Sequence, residues 1–129
     1  MIGAEMQKAI FAALNGATIA GGNVFDQVSA SDPFPRITVG DEQVIDDSNT
    51  CQVGWEVFSD VHCWSRPASG SKVEVKTLAA QAVAAVRGIT SIPGYELVSI
   101  EHQTTRVFRD PDGLTEHAVV SFRALIDPA

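Results

Sequence analysis

Three histidines and two cysteines are the nitrogen and sulfur side chains in this sequence best suited to hold zinc, and their spacing limits what they can do. His62, His102 and His117 could converge with Cys51 or Cys63 on a zinc ion, because strands bring distant residues together. The spacing argues against it. There is no HExxH motif and no paired-cysteine frame, and the neighbours His62 and Cys63 should point to opposite faces of a strand. Cys51 and Cys63, with eleven residues between them, match neither a redox pair nor a zinc knuckle, so reduced, partly buried thiols are expected. No metal and no cofactor are expected.

Nucleophilic chemistry has one literal match. Ser69-Gly70-Ser71-Lys72 fits SxxK, in which a lysine activates a serine near a helix start. Its partner motifs are missing, since Lys76-Thr77 runs into Leu78 rather than glycine, and Ser71 with Glu74 three residues on reads as a capping box. His117, Ser121 and Arg123 share one face of a strand, as do Asp60 and His62, which would allow an acid–base dyad. Period-two strands create such pairs constantly, and an exposed polar sheet face explains them without chemistry. GxSxG, GxGxxG and a phosphate-binding loop are absent, and the carboxylates do not follow the EF-hand spacing. A small hydrolase or ligand-binding domain around the three histidines is thus the remote reading, and a non-enzymatic structural subunit the expected one.

The elements that must position these residues follow from periodicity. Ile2, Met6, Ala9, Ile10, Ala13 and Leu14 form the stripe of an amphipathic helix ending at Gly16. A loop and a short strand over Val24 to Val28 come next, then an extended connector, Ser29 to Pro35, in which two prolines forbid helix. Arg36 to Val39 and Val44-Ile45 are strand-prone, with Gly40-Asp41-Glu42 between them suggesting a bulge or turn. Val53 to Trp64 alternates, placing Trp55, Val57, Val61 and Cys63 on one face and Glu56, Asp60 and His62 on the other. A second helix buries Val75, Leu78, Ala79, Ala82, Val83 and Val86 and ends at Gly88. Runs from Tyr95 to Phe108 and from Leu114 to Ile126 flank Asp110-Pro111-Asp112-Gly113, which suits a type I turn and an antiparallel hairpin. The expected fold is α+β: a single domain over residues 1–129, a mixed or antiparallel sheet of four to five strands, and two helices packed on one face.

Charge narrows the partners. Sixteen acidic residues against nine basic ones give a net charge of −7, a field that repels phosphate backbones and anionic membranes. No apolar run approaches the roughly 20 residues that cross a bilayer, and neither a signal peptide nor a transmembrane helix is expected. From Ile37 to Ser65 there are six acidic residues, Asp41, Glu42, Asp46, Asp47, Glu56 and Asp60, and no lysine or arginine. That stretch is either a solvated loop and strand face or a docking or lumen-facing patch, with Asp41, Glu42, Asp46 and Asp47 as its candidate residues.

Five short motifs carry a resemblance. Val24-Phe25-Asp26-Gln27-Val28, Asp32-Pro33-Phe34-Pro35-Arg36, Trp55-Glu56-Val57, His62-Cys63-Trp64-Ser65-Arg66 and Arg109-Asp110-Pro111-Asp112-Gly113, in that order, resemble the tail terminator or tail-completion family of long-tailed phages, prophages and gene transfer agents. The likeness extends from the first helix to Ala124-Leu125-Ile126, and its motifs are structural rather than catalytic. It implies a virion protein that caps the finished tail tube as a homo-hexameric ring, ends tube polymerisation and joins the tail to the head connector. The implied partners are the tail tube protein and a head–tail connector protein, with DNA passing through the lumen without specific binding and no membrane involved. The implied location is the head–tail junction of the virion, after assembly in the cytoplasm of the producing cell. A neighbouring connector component, an adaptor or a stopper, is the alternative within the same class.

Overall fold

The computed structural model describes residues 1–27, 32–49 and 52–129. Val28, the first residues of the expected connector and Cys51 lie outside the described residues. The elements run α1 (Ile2–Leu14), β1 (Val24–Phe25), β2 (Arg36–Asp46), β3 (Trp55–Ser65), α2 (Val73–Arg87), β4 (Tyr95–Arg109) and β5 (Glu116–Pro128). They form one five-stranded sheet in the order β1-β2-β3-β5-β4. Only the β1–β2 pair is parallel. The fold is α+β, with a mixed sheet and two helices.

Both helices cover the same face, and alternation along the strands builds the core between them. Ile37 and Val39 of β2, Val57, Val61 and Cys63 of β3, and Ala118, Val120, Phe122, Ala124 and Ile126 of β5 are all buried. Against them lie Ile2, Met6, Ile10 and Leu14 from α1 and Val75, Leu78, Ala79, Ala82 and Val86 from α2. Each large side chain withdrawn from water in this way contributes roughly 1.5–3 kcal/mol before ordering costs. Trp55 and Tyr95 close one end of the core edge to face, with ring centroids 5.5 Å apart. Among the described residues no helix is long and apolar enough to cross a membrane.

Two details differ from the sequence reading, and the bulge or turn it expected at Gly40 is a bulge. The short strand is only Val24–Phe25, and Asp26-Gln27 bends away from it. The two strand-prone pieces around Gly40 are one continuous strand with a β-bulge between Val39 and Asp41. Gly40 there has φ +139°, backbone that a side chain would strain. The capping box is only half made: Lys72 holds the cap position of α2, and Ser71 Oγ, one residue earlier, accepts the Val73 N–H at 3.1 Å.

Candidate functional site

The sheet face turned away from the helices carries the polar and aromatic residues, and register decides which of them meet. Arg36 of β2, Trp64 of β3, His117 of β5 and Phe108 of β4 lie in one cross-strand row, and Thr38, His62, Val119 and Arg106 in the next. Trp64 stacks on His117 with centroids 3.7 Å apart and 17° between planes, and its Nε1–H donates to Thr38 Oγ1 at 3.3 Å. Phe108 closes on His117 from β4 at 4.7 Å. Cross-strand aromatic pairs of this kind are the unit from which sheets gain stability.

A hydrogen-bonded line runs through the same two rows. Asp41 Oδ2 lies 2.7 Å from His62 Nε2, His62 Nδ1 lies 2.8 Å from His117 Nε2, and His117 Nδ1 lies 3.1 Å from Asp110 Oδ1. Burial lowers the His117 pKa from its ordinary value; Asp110 opposes this, and the neighbouring His62 and Arg106 add to it. An open concavity of about 470 Å³ is lined by Gln7, Asp26, Thr38, Asp41, His62, Trp64 and His117.

Beyond these rows the turn end of the sheet is tied together. Two guanidinium groups lie over the Phe34 ring, Arg36 at 4.1 Å and Arg66 at 4.6 Å from its centre. Arg66 also donates to Thr115 Oγ1 at 2.9 and 3.1 Å and to Asp112 Oδ2 at 3.2 Å. Asp112 in turn accepts from the Thr115 hydroxyl and from the backbone N–H groups of Leu114 and Thr115. Those bonds, the hydroxyl first, push its carboxyl down to about 2. The Asp110 carbonyl accepts the Gly113 N–H at 3.0 Å, which closes the expected turn. On the helix face Glu116 is fully buried between Arg109 Nε at 2.6 Å and Lys72 Nζ at 3.1 Å. Burial raises its pKa, but bonds and charges from the two cations outweigh that and hold it below the ordinary value.

The sequence candidates divide accordingly. His62 and His117 are brought together, whereas His102 lies in register with the buried Phe122, on the other face, bonded to Thr105 at 2.7 Å. His117 corrects the reading of an exposed polar face: it is 7% exposed and has a partner at each ring nitrogen. Cys63 is a buried thiol among apolar side chains, pushed up to about 12 by burial, so it supplies no thiolate near neutral pH. Among the described residues no three acidic, histidine or cysteine side chains are grouped to hold a metal. Lys72 is engaged by Glu116, not by a serine. Asp60 accepts from Ser121 at 2.7 Å, and Arg123 is paired with Glu56 and Glu101. Of the hydroxyls on this face, Thr38 accepts from Trp64 and Ser121 donates to Asp60.

Asp41, Glu42, Asp46 and Asp47 are all exposed, and they do not converge on one face. Asp41 joins His62, while Glu42 turns to the helix side, where Gly3 leaves room: a Cβ at position 3 would stand 3.0 Å from Glu42 Oε2. Burial there pushes Glu42 up to about 7. Hydrogen bonds from Ser48 hold Asp46 below its ordinary value. What the four share is position, on or just past the reach of β2 that β1 leaves uncovered.

Sequence reasoning missed the His62–His117 contact and the buried Glu116. Both depend on β5 lying between β3 and β4, which hairpin signals alone do not dictate. The alternation of Glu116 with Ala118, Val120 and Phe122 was the available signal that it faces the core.

Fold comparison gives a likeness to a chain of a structure titled "Virion of native gene transfer agent (GTA) particle", with a TM-score of 0.81 and 20% identity over 94% of this chain and 93% of that one. None of the curated proteins matches. A family model described as "Tail completion protein gp17" matches residues 7–127, nearly the whole chain. The chain thus belongs to the tail completion protein gp17 family.

Proposed function

We propose that this chain is a non-enzymatic structural subunit of a virion tail, which caps the completed tail tube as a hexameric ring, ends tube polymerisation and joins the tail to the head connector. The observation that carries the reading is the family match over residues 7–127. It is supported by the fold shared with a chain of a gene transfer agent virion, and by side chains that could do chemistry being engaged with one another. The two outer edges of the sheet, β1–β2 and β4, lie on opposite sides of the molecule. A contact between unlike edges is heterologous and closes into a ring when its rotation divides the circle, and a closed ring leaves no end on which a tube can grow.

In this arrangement Asp41, Glu42, Asp46 and Asp47 form a lumen or docking patch. Six copies carry six times the −7 charge of one chain, so a lumen lined by these residues lets DNA pass without adhering. The tail tube protein and a connector protein are the ring's neighbours, at the head–tail junction of particles assembled in the cytoplasm of the producing cell.

Electron microscopy of particles lacking the chain tests the assignment. Overlong or unstable tails beside intact DNA-filled heads are expected, whereas heads that leak packaged DNA would make the chain a stopper. Reversing the charge at Asp41, Glu42, Asp46 and Asp47 together is expected to slow DNA passage or block joining. Particles that transfer DNA at the parental rate would remove the role of the patch.

A further inference from the structure

The line Asp41–His62–His117–Asp110 has a proton count that two neutral histidines cannot meet. Its three contacts, at 2.7, 2.8 and 3.1 Å, each join two atoms that carry lone pairs, so each contact needs a proton of its own. Two neutral imidazoles bring two protons. If both point outward to the carboxylates, His62 Nδ1 and His117 Nε2 face each other lone pair to lone pair at 2.8 Å. If one ring takes the other tautomer, its carboxylate is left against a lone pair. Two imidazolium rings bring four protons and set N–H against N–H. Three protons alone satisfy all three contacts.

We propose that His62 and His117 form an imidazolium–imidazole pair holding one excess proton, a latch that ties the bulge of β2 to the β4–β5 turn and opens when pH moves to either side of a window. The excess proton belongs on His62, next to the exposed Asp41 carboxylate, because His117 is buried under Trp64. Neutral His117 then donates Nδ1–H to Asp110 and accepts at Nε2. The lowered pKa of His117 agrees with this assignment.

The charged groups around the pair come from every neighbouring element. Asp41 and Arg36 lie on the same face of β2, Asp60 is on the same face of β3, and Arg106 comes from β4. Asp110 comes from the turn, and Asp26, just after β1, lines the concavity. Helix α1 contributes the uncharged Gln7, bonded to Asp26 at 2.8 Å. Losing the excess proton removes a bridge across β2, β3, β5 and the turn; adding another pushes the rings apart. Either change breaks the central His62–His117 contact and alters the charge beside Asp41.

The test is long-range proton–nitrogen NMR of the histidine rings in the full chain, from roughly pH 4 to 9. His62 and His117 are expected to titrate in two linked steps, each step moving the nitrogen shifts of both rings. Asp41→Asn, at a side chain 70% exposed, keeps the fold and is expected to weaken binding of the excess proton about three- to tenfold. Rings that titrate independently in single steps, or a titration that Asp41→Asn leaves unchanged, would overturn the latch. The His62 Nδ1 signal in the window decides the location: a protonated nitrogen supports it, and a bare one overturns it.

Discussion

The turn end of the sheet and the outer reach of β2 meet the solvent in opposite ways. At the turn end, charge is matched by charge, Arg66 with Asp112 and Arg109 and Lys72 with Glu116, and Asp110 is bonded to His117. Along the outer reach of β2, Asp41, Glu42, Asp46 and Asp47 are exposed, and among the described residues His62 is the one basic group that an ion pair brings to any of them. The first region spends its polarity inside the protein and fixes geometry; the second leaves a field of one sign directed outward. The contrast shows where a partner can gain most. A surface already satisfied by its own residues offers little binding energy, and an unmatched one steers association.

Removing Trp64 should do the most damage. Trp64→Ala takes away the ring stacked on His117 and the bond to Thr38, and is expected to cost about 2–3 kcal/mol in urea unfolding, below the full cost of a buried tryptophan because the ring is half-buried. Thr115→Val is next, at about 1–2 kcal/mol, since it strips Arg66 and Asp112 of a buried hydroxyl partner. It should also move Asp112 from about 2 toward its ordinary 3.8. The stability that this depressed carboxyl confers is fully present above about pH 4 and lost as pH falls through 2, so acid unfolding of the variant should begin at higher pH.

On the outer strand the signs change. Glu42 is raised from 4.5 to about 7, so the stability linked to its protonation is fully present below pH 4.5 and lost as pH rises through 7. Glu42→Gln should therefore match the parent at acid pH and exceed it above pH 7, by less than about 1 kcal/mol because the exposed group is screened by solvent. Asp47→Asn should shift stability least, within about 0.5 kcal/mol by thermal unfolding. If it costs as much as Thr115→Val, the two regions are not different in kind.

How far this was legible in the sequence depends on the range of the interaction. The stripe Ile2, Met6, Ile10, Leu14 and the turn Asp110 to Gly113 are local signals, and both read correctly. Gly40 announced an irregularity, but only pairing with β3 shows that the strand continues through it. Ser71 announced a helix start but not that the chain would place the cap one residue later. The histidine line was out of reach, because it joins residues 21, 55 and 7 positions apart and needs the register of β2, β3 and β5 at once. Asp41, Glu42, Asp46 and Asp47 were found by charge alone, without the fact that a strand sends its residues to both faces.

The extra residue at Gly40 resets the odd–even phase of β2. Before it, Ile37 and Val39 point to the core; after it, Val44 does, while Asp41 reaches the histidines. Were residue 40 paired in regular alternation instead of bulged out, Val44 would turn to water and Asp41 would swing beneath α1. The bulge at Gly40, not the count of residues alone, therefore sets which side chains of the outer reach face the histidines and which face α1.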